Sequence, residues 1–250
     1  MSFDRVLALD HFFLMVNPQL FEQLKDLNKC LKNTFFDRIE RLDTTYEGTY
    51  IFARNGTYLE FLNTLGSKYI FWLEIGWFSK NPDIFNVDQL PDNFAELEWQ
   101  TFSIKNEDYE PWYDAYISSP VEVPYHLNFT SWGVNYHKIR RKGESSNYSV
   151  EKFVLLQMDV PEAYLELVKH SSQWFPTKRK INKSKAILEV PQGHNDLFEI
   201  ILNVDASLDK PKSVVLRAKR CDNDLHLSLK LGSLNLYTEK EEIIFHFTDV

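Results

Sequence analysis

Apolar and polar positions recur along this chain with two periods, and the changes of period mark the elements. Leu7–Val16 (LALDHFFLMV) carries one acidic residue and one histidine in an otherwise apolar run. Its length and aromatic content predict a strand covered on both faces. Asn17-Pro18 comes next, a side-chain cap followed by a first-turn proline. Leu20, Leu24, Leu27 and Leu31 then repeat at helical spacing with Phe21 beside them, which predicts a helix burying one stripe. Over residues 39–64 the period returns to two. IERLDTTY, TYIFARN and TYLEFLN read as three strands, separated at Gly48 and at Asn55-Gly56, the latter a strong hairpin signal. The first 64 residues therefore predict a βαβββ unit.

A looser second passage follows. Tyr69–Phe78 is a strand candidate, residues 83–93 a short helix between prolines, and 97–105, 112–118 and 127–137 three further strand-like runs. Residues 138–149 (KIRRKGESSNYS) form the most polar interval and are read as a domain boundary. Beyond it the opening is echoed. FFLMVNPQLFEQL (12–24) and LLQMDVPEAYLEL (155–167) align on Pro18 and Pro161, and YLEFLN (58–63) matches LFEIILN (197–203). The echo pairs Glu60 with Glu199 but His11 with Val154. Four strand candidates close the chain at 213–220, 225–231, 234–239 and 242–247, with no helix between them. The organisation expected is two domains, 1–143 and 144–250, the second degenerate.

Alternation places the chemistry. Leu9, His11, Phe13 and Met15 share one face of the first strand, and Tyr58, Glu60 and Leu62 share one face of the fourth. The opposite sets, Phe12/Leu14/Val16 and Leu59/Phe61, are purely apolar and suit a helix-covered face. His11 and Glu60 should then point together to the other side, where a carboxylate is costly unless paired, metal-bound or solvated.

Leu9-Asp10-His11, Gly48-Thr49-Tyr50 and Asn55–Phe61 (NGTYLEF), set in that unit, resemble the vicinal oxygen chelate superfamily of glyoxalase I, extradiol dioxygenases and bleomycin-resistance proteins. The likeness is to bacterial glyoxalase-like proteins in particular. It implies an α+β fold of paired βαβββ units forming cupped mixed sheets, duplicated along the chain. It also implies His11 and Glu60 as metal ligands, with Glu74 a weaker third, Glu60 as the catalytic group, and one divalent ion (Zn, Ni, Fe or Mn) as cofactor. His11, Tyr50, Tyr58 and Trp72 would contact a small-molecule ligand. The second unit departs from the pattern. Its first strand carries no histidine, and Leu127–His137 offers Asn135, Tyr136 and His137 but no glutamate. The function expected is binding of a small organic molecule in the N-terminal cup, with or without turnover. The alternatives are a metal-free sequestering protein of the bleomycin-resistance type and a protein-interaction module. If the protein is an enzyme, a metal-dependent lyase or dioxygenase is implied.

Composition narrows the classes. The chain is 44% hydrophobic and 15% aromatic with a formal net charge of -8, which fits a folded domain and opposes general phosphate-backbone binding. The basic runs at 137–142 and 178–180 read as solvated loops. Cys30 and Cys221 make no metal-type spacing. No leader-like start and no apolar stretch of about 18 residues is present, so a cytoplasmic protein without membrane or nucleic-acid partners is expected. The internal duplication favours a monomer over a homodimer. No GxSxG, P-loop or GxGxxG occurs.

Overall fold

The structure is a computed structural model that describes residues 5–40, 45–63, 71–79, 99–102, 112–116, 125–131, 147–165, 169, 179–192, 196–209 and 211–248. Strand β1 (Arg5–Val16) takes in the opening apolar run, and Asn17 caps the helix that follows, its side chain accepting the Leu20 N–H at 2.9 Å. Helix α1 (Pro18–Leu24) is only seven residues long and tightens into a 3-10 helix over Lys25–Lys29. Leu20, Leu24, Leu27 and Leu31 are all buried. The leucine stripe is thus real, but the α-helical part ends after two turns.

Three strands succeed it: β2 (Thr34–Glu40), β3 (Thr45–Phe52) and β4 (Tyr58–Asn63). They pair β2-β3-β4 in antiparallel fashion, and β4 lies parallel to β1 with His11 opposite Tyr58 and Phe13 opposite Glu60. The other edge of β1 is taken by β5 (Phe71–Ser79), antiparallel, with His11 opposite Glu74. Beyond it lie β8 (Tyr125–Ser131), β7 (Trp112–Tyr116) and β6 (Trp99–Phe102).

In the second half β9 (Val150–Val160) is parallel to β12 (Asp196–Val204), and β11 (Lys185–Gln192) pairs with β12 and with the short β10 (Arg179–Ile181). Strands β13 (Ser213–Arg220), β14 (Ser228–Leu231), β15 (Leu234–Glu239) and β16 (Glu242–Thr248) occupy the closing runs, joined through β13 to β9. One hydrogen-bonded network links all sixteen described strands, with β11 beside β1 at Leu9 and Gln192.

The expected fold class is corrected here. The described residues are mostly β-sheet, with α1, its 3-10 extension and helical residues at 163–165 and 169 set against sixteen strands. This is not an α+β fold of paired βαβββ units of the glyoxalase type. Two sequence signals misled. The leucine stripe continues at helical spacing through a segment that is 3-10 rather than α, and of the helix expected after Pro161 residues 163–165 and 169 are helical, the rest lying outside the described residues. Aromatic and branched residues, which favour pleated surfaces, fill the remainder. The turn assigned to Gly48 is also corrected. Gly48 lies inside β3, opposite Leu62. The expected boundary segment up to residue 146, the helix at 83–93, Trp132, His137, His170 and His194 lie outside the described residues.

One buried apolar cluster fills the face of the sheet under α1 and extends across both halves. Phe12 is its hub, edge-on to Phe153 at 4.8 Å and tilted against Phe198 at 5.4 Å. The halves also meet through backbone: Ala53 bridges Val150, the Arg54 N–H donates to the Val150 carbonyl, and Gln192, fully buried, donates to the Phe153 carbonyl while accepting from Asn55.

Candidate functional site

The pleat of β1 and β4 builds the site. Phe12, Leu14 and Val16 enter the core cluster, as do Leu59 and Phe61. His11 therefore projects to the opposite side, where Tyr58 and Glu60 are its neighbours across the parallel register. The imidazole lies flat on the Tyr58 ring, with centroids 4.3 Å apart and planes 8° apart. Its Nε2 is 4.0 Å from Glu60 Oε2. Both residues are buried, His11 to 3% exposure and Glu60 to 5%. A carboxylate so far from water has to be compensated by polar or charged neighbours, and the imidazole is one of them.

Aromatic rings wall this centre. Tyr58 stacks on Phe52 at 4.8 Å, Phe52 on Phe35 at 5.5 Å, and Phe35 on Tyr50 at 5.2 Å. Tyr148 packs against the same group. The rings come from β2, β3 and β4 and form a near-parallel row beginning at His11. A residue in the middle of β3 completes the arrangement. An ideal β-carbon on Gly48 would fall 2.8 Å from the Tyr50 phenol oxygen and 2.9 Å from Glu60 Oε1. No ordinary Cβ tolerates such distances, so the carboxylate and the phenol occupy space that only glycine leaves open.

His11, Glu60, Tyr50 and Tyr58 are thus brought together as the sequence implied. Trp72 and Glu74 stand in register on β5, opposite Phe13 and His11 respectively, and their side chains are outside the described set. Two positions escaped the sequence reading: His126 and Asn128 on β8, which face Trp72 and Glu74 in register. Phe35, Phe52 and Tyr148 were missed as well. The alternation Tyr50, Phe52, with Tyr58 beyond the turn, held the signal for part of that wall. Glu199, the echo of Glu60, pairs with Glu189 and Leu155 and is half-exposed, so the second half does not repeat the buried centre.

Of the metal ligands implied by the resemblance, His11 and Glu60 are the described pair, with Nε2 and Oε2 4.0 Å apart. Among the described residues no group of three or more His, Cys, Asp or Glu side chains converges. What the centre offers chemically is an acceptor-rich carboxylate, an imidazole and a phenol beside a flat apolar wall.

No protein-family model and no curated protein matches the chain. A solved structure does: the crystal structure of a hypothetical protein from Staphylococcus aureus superposes with a TM-score of 0.61 at 12% identity, over 97% of this chain and 98% of that one. At that identity the likeness is one of fold. Among the described residues no helix is long and apolar enough to cross a membrane.

Proposed function

We propose that the protein binds a small, flat organic molecule at the His11–Glu60 centre. The observation that carries this reading is a carboxylate and an imidazole placed 4.0 Å apart, both nearly excluded from water, inside a row of stacked rings. A helix-packed core face needs no such pair, and the core cluster on the other side of the same strands contains none. Polar groups held in an apolar surround are the usual makeup of a site that orients a ligand, the rings supplying contact area and the polar tips direction.

Ligand-observed saturation-transfer NMR with benzamidinium, benzamide and benzoate tests this. The three probes share one ring and differ only in the charge and hydrogen-bonding pattern of one small group. At least one should bind, and His11→Ala or Glu60→Gln should weaken it by about tenfold or more. No transfer to any of the three, or binding indifferent to both substitutions, would sink the reading.

A further inference from the structure

The hairpin between β3 and β4 carries the only Asn-Gly pair of the chain. The Ala53 N–H donates to the Thr57 carbonyl at 2.9 Å and closes a loop of Arg54, Asn55 and Gly56. Gly56, at a φ of 90°, is the left-handed residue that such a three-residue loop requires. The same loop is where the two halves of the chain meet. The Arg54 and Asn55 N–H groups donate to the Val150 and Glu151 carbonyls at 3.0 and 3.2 Å, and Asn55 Nδ2 donates to Gln192 Oε1 at 3.1 Å. Gln192 is fully buried and gives its own Nε2 hydrogen to the Phe153 carbonyl at 3.0 Å.

Asn-Gly is also chemically labile. When hydroxide takes the glycine N–H proton, the nitrogen attacks the asparagine side-chain carbonyl carbon, and the bare glycine leaves the approach unhindered. A new C–N bond closes a succinimide ring, and the side-chain nitrogen departs as ammonia after taking a proton from water. Water then opens the ring at either carbonyl, leaving aspartate or isoaspartate. In the folded chain every reacting group is held elsewhere. The Gly56 N–H donates to the Ala53 carbonyl at 3.0 Å. Asn55 Oδ1 accepts from the Thr57 N–H at 3.2 Å and from the Thr57 hydroxyl at 2.8 Å, and Nδ2 is engaged with Gln192.

We propose that Asn55 is a deamidation site gated by the junction between the halves. Closed, the junction withholds the reaction; open, it permits it; and the product prevents full reclosure. An aspartate carboxylate only accepts, where Asn55 supplied a donor. Gln192 Oε1 then faces another acceptor, and turning the Gln192 amide round would set that oxygen against the Phe153 carbonyl instead. A buried acceptor loses its bond in either orientation. Isoaspartate lengthens the loop backbone and carries the Arg54 and Asn55 N–H groups away from their partners. The site is a one-way record of junction opening.

Peptide-mapping mass spectrometry on the whole chain in neutral buffer tests the gate. Deamidation at Asn55 should run at least about tenfold slower in the folded protein than in the urea-unfolded chain. The ratio of the two rates should match, within about threefold, the open fraction read from hydrogen exchange of the Arg54 and Asn55 amides. Equal rates in the two states, or a folded rate that departs from that open fraction, overturns the gate. Asn55→Asp tests the product. Its Arg54 amide should exchange at least about tenfold faster than in the unmodified protein, with the Leu59 and Phe61 amides of β4 unchanged. If Asn55→Asp does not fold, the same comparison is made on the deamidated fraction of aged protein, separated by charge. Arg54 exchange that is the same before and after the change overturns the lock.

Discussion

Thr49 carries its hydroxyl to the helix-covered face of β3, where the residue is fully buried and the oxygen finds no hydrogen-bond partner among the described residues. A buried hydroxyl without a bond costs its desolvation and returns nothing. Thr49→Val keeps the branched shape and removes that cost. Denaturant unfolding should show it more stable by about 0.5–1 kcal/mol, against the usual direction of core substitutions. The two thiols can be read at the same scale. Burial pushes Cys30 above its ordinary value of 9.0, with the backbone N–H groups of Cys30 and Leu31 opposing in part. Burial likewise pushes Cys221 up, opposed by the Arg54 charge. Ionisation is therefore easier in the unfolded chain. Each thiol withdraws stability as pH rises through 9.0 toward its higher folded value, and none below it. Disulfide-exchange labelling near neutral pH should run about tenfold or more slower in the folded protein than in the urea-unfolded chain.

At the level of elements, the sequence was most legible where one local rule acted alone. Asn17 and Pro18 marked the helix start, and the cap is present as a 2.9 Å bond. Asn17→Ala should cost about 1 kcal/mol in thermal or denaturant unfolding. The facing of β1 and β4 was also legible, since a period of two sends Phe12 and Phe61 one way and His11 and Glu60 the other. The side-by-side placement of His11 and Glu60 followed from it. Legibility failed where one residue type serves two purposes. Glycine signals a turn, yet Gly48 is a gap in a strand, and taking it for a turn shifted β2 and β3 by about half a strand each. The leucine stripe of α1 does not distinguish α from 3-10 backbone at its C-terminal end, because both bury every third or fourth residue. The aromatic wall was legible only in part, because Phe35 joins it through the β2-β3 register, which no local pattern announces.

At the scale of the whole molecule, Phe12 bears on both halves. It is fully buried and touches Phe153 and Phe198 from the second half. Phe12→Ala should cost about 3–5 kcal/mol, and calorimetry should show the loss across the transition as a whole and not in a fraction of it. The overall class was not legible in the sequence, because it depends on which strands find one another, and the pairings reach far along the chain. Strand β1 shows how far. One of its edges is shared: His11–Val16 pair with β4, while Leu9 meets Gln192 on β11. The first partner is about 50 residues downstream and the second about 180. A ribosome adding roughly 5–20 residues per second delivers the second about 6–26 s after the first half of that edge could have closed. During that interval the nascent chain carries a strand paired along part of its length and open along the rest. The open part is where a newly made copy is most exposed to pairing with another chain, so a chaperone acting on this protein would be needed early in synthesis and could leave once β11 has emerged.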